Sequence, residues 1–380
     1  MLFEYEILRL VWWALLGVLL VGFAVTDGFD LGVAMLHPFV GRTDAQRRVS
    51  LNTIGPVWEG NQIWLVLAGG AVFAAWPLLY AAAFSGFYLA MMLALVGLVL
   101  RPAALTFRSK LSSPLWRKSW DIVFFVSGLV PTLIFGVAFG NLLRGVPFHF
   151  DRTLQVVYEG DLPGLLNPFA LLCGLVAVAM LTLHGAAYLA AKSDSDVAAR
   201  ARRYGAGAAL VLALLFSLAG LWMALGVDGY VVDRAIDAAG PSNPMLKKVT
   251  VEHGAWLANY KRFPASLAAP LLAYAGVAVA FVALRAKRPR LGVVASGAAV
   301  AGVVTTAGFS LFPFLLPSSS HPAHSLTVWD ASSSLTTLGL MLCAVLVFLP
   351  IVLAYTVWAY RVFRGVVTEA QVTRGDDYAY

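Results

Sequence analysis

Nine apolar stretches, each near the length that crosses a bilayer, alternate along this chain with polar, often basic connections. A helix needs about 20 apolar residues to span the hydrocarbon core. The stretches cover approximately 7–36, 57–76, 80–101, 120–143, 165–191, 204–227, 265–284, 291–316 and 335–361. The second is the shortest, and Trp76-Pro77 predicts a tight turn between it and the third. Trp, Tyr and Pro punctuate many of the ends, as interfacial anchors and helix breakers do. The pattern predicts an all-α polytopic membrane protein, a single transmembrane domain over 1–380. A polar, frayed tail is expected over 365–380. Two longer connections cover 144–164 and 228–264. The second reads as turns around Gly240–Pro244, then a surface helix from Met245 to Tyr260.

Sidedness follows from the basic residues. About 19 of the 27 Lys and Arg fall in alternate connections and at the C-terminal end, so those face the cytoplasm. The N-terminus is then outside and the C-terminus cytoplasmic, as an odd number of crossings requires. Composition agrees: 60% of residues are hydrophobic and 12% charged, with a mean hydropathy of +0.80. A water-soluble domain carries about twice that charge. The net charge of +7 reflects membrane topology, and nucleic acid is not an expected partner. Cys173 and Cys343 both lie in apolar runs and read as small buried hydrophobes, with no disulfide or metal spacing.

The charges inside apolar stretches need explaining. Asp27 and Asp30 stand three apart on the first helix and share a face. Glu59, Asn61 and Gln62 open the second segment between Trp58 and Trp64, and Arg101 closes the third. Helix direction alone gathers all of them in the cytoplasmic leaflet. A charge at mid-bilayer costs on the order of 3 kcal/mol on insertion scales, so such residues usually line a hydrated path, a proton relay or a subunit seam. The bland alternative is that Arg101 neutralises an aspartate and Glu59 caps its own helix. Of the histidines, only His184 is expected within a helix. His321 and His324 share an outer loop without another evident ligand, so no metal ligands are assigned. The small residues Gly69-Gly70, Gly136 and Gly140, and the Gly292–Gly308 segment favour close helix approach. On these features alone, a standalone proton-coupled secondary transporter is the natural reading.

Several runs resemble one family. Ile7-Leu8-Arg9-Leu10-Val11-Trp12-Trp13 and Gly22 through Gly32, containing Thr26-Asp27-Gly28-Phe29-Asp30, are similar to the opening of subunit II of cytochrome bd-type quinol oxidases. So are Trp58–Trp64, Arg101-Pro102, Gly136–Asn141, Asp228–Val232 and Thr327–Ser333, in the same order along nearly the whole chain. The resemblance implies a bacterial inner-membrane subunit of an enzyme that oxidises quinol, reduces dioxygen to water and builds a proton gradient without pumping. It implies two hemes b and one heme d, all held by subunit I, and no catalytic residue here. It also implies small single-helix accessory subunits, a structural quinone in this subunit in some members, and nine helices arranged as two four-helix bundles plus one peripheral helix. By position, Glu59 corresponds to a carboxylate on a cytoplasmic proton path, and many relatives have Asp there. Asp27, Asp30 and Arg101 match polar positions nearby. Trp64, with Trp58, matches the seam with subunit I and oxygen access.

Overall fold

Among the described residues, eight helices are long and apolar enough to cross a membrane, and two shorter ones form a pair bent by 120°. The structure, a computed structural model, describes residues 4–233 and 236–374. The elements are α1 (Tyr5–Val40), α2 (Asp44–Ile54), α3 (Trp58–Ala75), α4 (Pro77–Gly86), α5 (Tyr88–Phe107), α6 (Pro114–Arg144), the single turn α7 (Leu162–Leu165), α8 (Pro168–Lys192) and α9 (Ser195–Gly226). Then follow α10 (Ala258–Arg262), α11 (Ala268–Arg285), α12 (Pro289–Leu311), α13 (Leu335–Val362) and α14 (Glu369–Arg374).

Helices α8, α9, α11 and α12 close into a ring of packed neighbours, and α1, α3, α5 and α6 pack beside it. Helix α8 joins the two groups by touching α1 and α6, and 61% of its most apolar window is buried. Small residues allow this. A Cβ on Gly32 would overlap the Leu181 carbonyl oxygen, and Gly185 meets Gly32 backbone to backbone. Gly136 and Gly140 bring α6 equally close to α8, as the sequence suggested, whereas Gly69 and Gly70 face open space. Helix α13 lies at the periphery with only Leu338 and Leu342 buried.

Several boundaries differ from the sequence reading. The predicted span 80–101 is two pieces. Pro77 cannot continue the hydrogen bonding of α3, so α4 turns away, and Phe87 separates it from α5. The predicted span 291–316 stops at Leu311, before Phe312-Pro313, and Phe314–Leu316 forms a strand. α1 runs on to Val40, so His37 is helical and fully buried. Cys343 is exposed, because α13 covers so little of itself, and Cys173 is half-buried. The amphipathic helix α2 was hidden in what read as a topogenic loop.

The long connections carry strands. β1 (Phe148–Phe150) pairs with β2 (Val156–Tyr158), β3 (Asp228–Val232) with β4 (Val249–His253), and β5 (Phe314–Leu316) with β6 (Leu326–Thr327), all antiparallel. The surface helix expected over Met245–Tyr260 is mostly absent. Val249-Thr250-Val251 is a β-branched run that prefers a pleated edge, and only Ala258–Arg262 is α-helical. The tail is not frayed as far as Arg374. The Val367 amide donates to the Lys192 carbonyl (2.8 Å), and Gln46 donates to Glu369 (3.1 Å). Residues 375–380 of the expected tail lie outside the described residues.

Candidate functional site

Helix α1 carries the site. Its first half is lined by Trp and Leu; from Asp27 to His37 every residue is buried. Asp27 and Asp30, one turn apart, face inward between α3 and α5. Arg101 of α5 donates from Nη2 to Asp27 Oδ1 at 2.6 Å, and both side chains are fully shielded from solvent. Asn61 of α3 donates from Nδ2 to Asp30 Oδ2 at 2.8 Å. The Tyr360 hydroxyl of α13 donates in turn to Asn61 Oδ1 at 2.7 Å. Beside them Tyr188 of α8 stacks on Phe29, with ring centroids 3.8 Å apart, and donates to the Thr53 carbonyl at 3.0 Å.

The charge balance is uneven: two carboxylates face one guanidinium. Asp27 Oδ2, Asp30 Oδ1, and Nε and Nη1 of Arg101 are buried without a hydrogen-bond partner among the described residues. Polar atoms buried in this way are costly unless something satisfies them, and a small hydrated pocket is the economical answer. The arrangement is suited to holding or passing a proton.

Four of the predicted residues, Asp27, Asp30, Asn61 and Arg101, are therefore brought together. Glu59 and Gln62 are not in that set. The buried stripe of α3 runs Asn61, Trp64, Ala68, an i, i+3, i+7 pattern, and Glu59 lies about 200° around the helix from Asn61. Glu59 is exposed on the face shared with Ile63 and Val66, and Gln62 is half-buried. Trp64 packs inside the chain against Gly22, with 5% exposure. Trp58 is half-buried, its ring 6.0 Å from the Arg101 guanidinium carbon.

A second charged centre escaped the sequence reading. His37 Nε2 is 2.7 Å from Asp121 Oδ1 of α6, and its Nδ1 is 2.6 Å from the Ser50 hydroxyl. Asp121 also accepts from Arg47 at 2.6 Å and from Arg108 at 2.5 Å. Arg108 and Arg117 both reach Asp44, at 3.0 and 2.9 Å. These arginines had read only as topology signals. The available clue was spacing: His37 is seven residues after Asp30, on the same face and about 10 Å further along the axis. The two centres thus line one stripe of α1, from the buried aspartates to the α2 end of the bundle.

His184 makes two hydrogen-bond contacts, to Ser296 (2.8 Å) and the Val25 carbonyl (2.8 Å). Both nitrogens of His37 and of His184 are thus engaged, and neither imidazole is presented as a free axial ligand. Between α1, α6, α8, α9 and α12 lies an apolar cavity of about 640 Å³, walled by Phe23, Phe135, Met180 and Met223, with Tyr260 and Ser310 among its polar groups.

The sequence profile described as "Cytochrome bd terminal oxidase subunit II" matches residues 8–363. The chain is 49% identical over 362 residues to a probable cytochrome oxidase subunit 2 of Haemophilus influenzae, covering 95% of this chain and 96% of that one. It is 46% identical over 377 residues to cytochrome bd-I ubiquinol oxidase subunit 2 of Escherichia coli, covering 99% and 100%. Among solved structures, a chain from the bd oxidase of Geobacillus thermodenitrificans superposes with a TM-score of 0.68, covering 94% of this chain and 98% of that one. At 16% identity that likeness speaks for the fold.

Proposed function

The chain belongs to the cytochrome bd terminal oxidase subunit II family, and on that footing we propose that its buried acids form part of a proton path serving a heme centre held by another polypeptide. It is a multi-pass protein of the bacterial cytoplasmic membrane and part of a quinol oxidase complex. The full-length match displaces the transporter reading.

The observation that carries the proposal is the α1 stripe: Asp27, paired with Arg101, and Asp30, held by Asn61, lie together in an apolar bundle, and His37 with Asp121 follows two turns on toward the α2 end. In this reading the partner is subunit I, which holds two hemes b and heme d, oxidises quinol and reduces dioxygen to water, so that the gradient arises without pumping. The engaged nitrogens of His37 and His184 support heme ligation elsewhere. Glu59 fits the same scheme from the other side of α3. A carboxylate facing lipid tails costs on the order of 3 kcal/mol, so its exposed face, shared with Val66 at 70% exposure, is better covered by subunit I. Protons would enter near Asp121 and His37, and Glu59 would sit at the seam. The cavity walled by Phe23, Phe135, Met180 and Met223 has the apolar lining that an isoprenoid quinone tail needs, with Tyr260 and Ser310 able to bond its head. Small single-helix subunits would complete the assembly.

The test uses Asp30→Asn and Glu59→Gln in the whole complex. Oxygen consumption is expected to fall at least about tenfold while heme absorption and subunit stoichiometry stay at wild-type levels. Wild-type turnover in both variants would reduce these residues to scaffold.

A further inference from the structure

The end of the bundle away from the buried acids carries a group of residues that the oxidase reading does not use. His149 sits in the middle of β1 and Glu159 directly follows β2. In the hairpin register His149 lies opposite Val157, so Glu159, two residues on, falls on the same face. His321 comes from the loop between β5 and β6. The donor atoms of His149, Glu159 and His321 all lie within 4.8 Å of one another. His149 Nδ1 is 3.1 Å from Glu159 Oε1; the atom itself is shielded from solvent and has no hydrogen-bond partner of good geometry among the described residues.

The backbone around them is firmly framed. The Ser319 amide donates to the Val146 carbonyl (3.0 Å), and the Ser318 and Ser320 hydroxyls donate to the Phe148 carbonyl (2.5 and 3.1 Å). The Phe150 amide donates to His324 Nδ1 at 3.0 Å. That bond puts the proton of neutral His324 on Nε2, so His324 is a support rather than a ligand. Its ring stacks on His321, with centroids 5.2 Å apart.

We propose that His149, Glu159 and His321 bind a borderline divalent transition metal, with Zn²⁺ the best match. Two imidazoles and one carboxylate are a recurrent three-ligand zinc set, leaving a fourth position for water. Calcium and magnesium prefer all-oxygen shells. At zinc–donor distances of 2.0–2.1 Å, tetrahedral donors sit roughly 3.3 Å apart, close to the His149–Glu159 separation. With all three donor atoms already within 4.8 Å of one another, side-chain rotation closes the set. The ion would clamp the β1–β2 hairpin to the loop over 317–325, joining two segments about 160 residues apart in the chain.

The experiment takes the purified oxidase complex, strips it with a chelator, and dialyses it against Zn²⁺ before metal analysis. The intact complex is expected to bind one more Zn²⁺ than complexes carrying His149→Ala or His321→Ala, or to bind it at least about a hundredfold more tightly, since loss of an outer-shell partner alone costs up to that much. His253→Ala, in the separate β3–β4 hairpin, keeps the ion. With Cu²⁺ as probe, electron paramagnetic resonance is expected to show two coupled nitrogens in the wild type and one in each histidine variant. Should His149→Ala fail to assemble, His321→Ala, with its exposed side chain, decides alone. Equal Zn²⁺ stoichiometry and affinity in wild type and variants would overturn the site, as would Cu²⁺ spectra without nitrogen coupling.

Discussion

Asp27 and Arg101 illustrate how a charge survives in a greasy bundle: each is fully shielded and each is the other's only ion partner among the described residues. Removing one leaves the other exposed to a low dielectric, which costs about 3–5 kcal/mol. Arg101→Met is therefore expected to lower the melting temperature of the complex or abolish its assembly. Combining it with Asp27→Asn should recover much of the loss, because a neutral pair carries no orphan charge; equal damage from the single and double variants would argue against the pairing. At the opposite end, Tyr230 of β3 packs on Trp256 and donates to the Arg144 carbonyl at 3.3 Å. Burial, reinforced by Asp228, pushes its phenol up to about 12. The folded state thus favours the protonated form. That contribution is complete below the ordinary phenol value near 10 and is lost as pH rises from there through about 12. The melting difference between wild type and Tyr230→Phe is expected to be constant up to about pH 10 and to shrink above it.

Helix pairing depends on where side chains are missing. Gly32 and Gly185 let α1 and α8 touch backbone to backbone, which holds the polar stripe of α1 against the most buried of the eight long apolar helices. Gly185→Val is expected to destabilise by at least about 1–3 kcal/mol, since backbone must move to admit it. Gly207→Ala on α9, which meets open space, should be neutral or slightly stabilising because alanine is the better helix former. Thermal melts of the two variants in detergent provide the comparison. The same logic explains α3. Its buried stripe selects Asn61 and Trp64 and so turns Glu59 outward, although the two acids and Glu59 stand in one leaflet by sequence.

Taken together, the chain buries polar residues between helices and leaves exposed apolar residues on α3, α5 and α13, where Val66, Val99, Leu346 and Phe348 are 61% exposed or more. A partner over α3 would cover both this grease and Glu59. In a Cys343→Ser background, Val66→Cys is expected to react with a membrane-permeant thiol reagent in the isolated chain and to be shielded in the complex. Equal reactivity in both would move the seam elsewhere.

Membrane residence, most of the long apolar helices and the shared face of Asp27 and Asp30 were legible along the chain, because hydropathy and helical period act locally. Trp76-Pro77 marked a real break, whereas the break before Phe312-Pro313 fell inside a stretch that read as continuous, and what followed each break depended on packing. The centre around His37 and Asp121 joins residues 84 positions apart, and the group of His149, Glu159 and His321 joins three segments; no local pattern encodes such meetings. The burial of Asp30 and the exposure of Glu59 were likewise decided by which face of each helix found a neighbour. Solvent partition selects the helices. Shape complementarity between them determines which of their few charges are drawn inside.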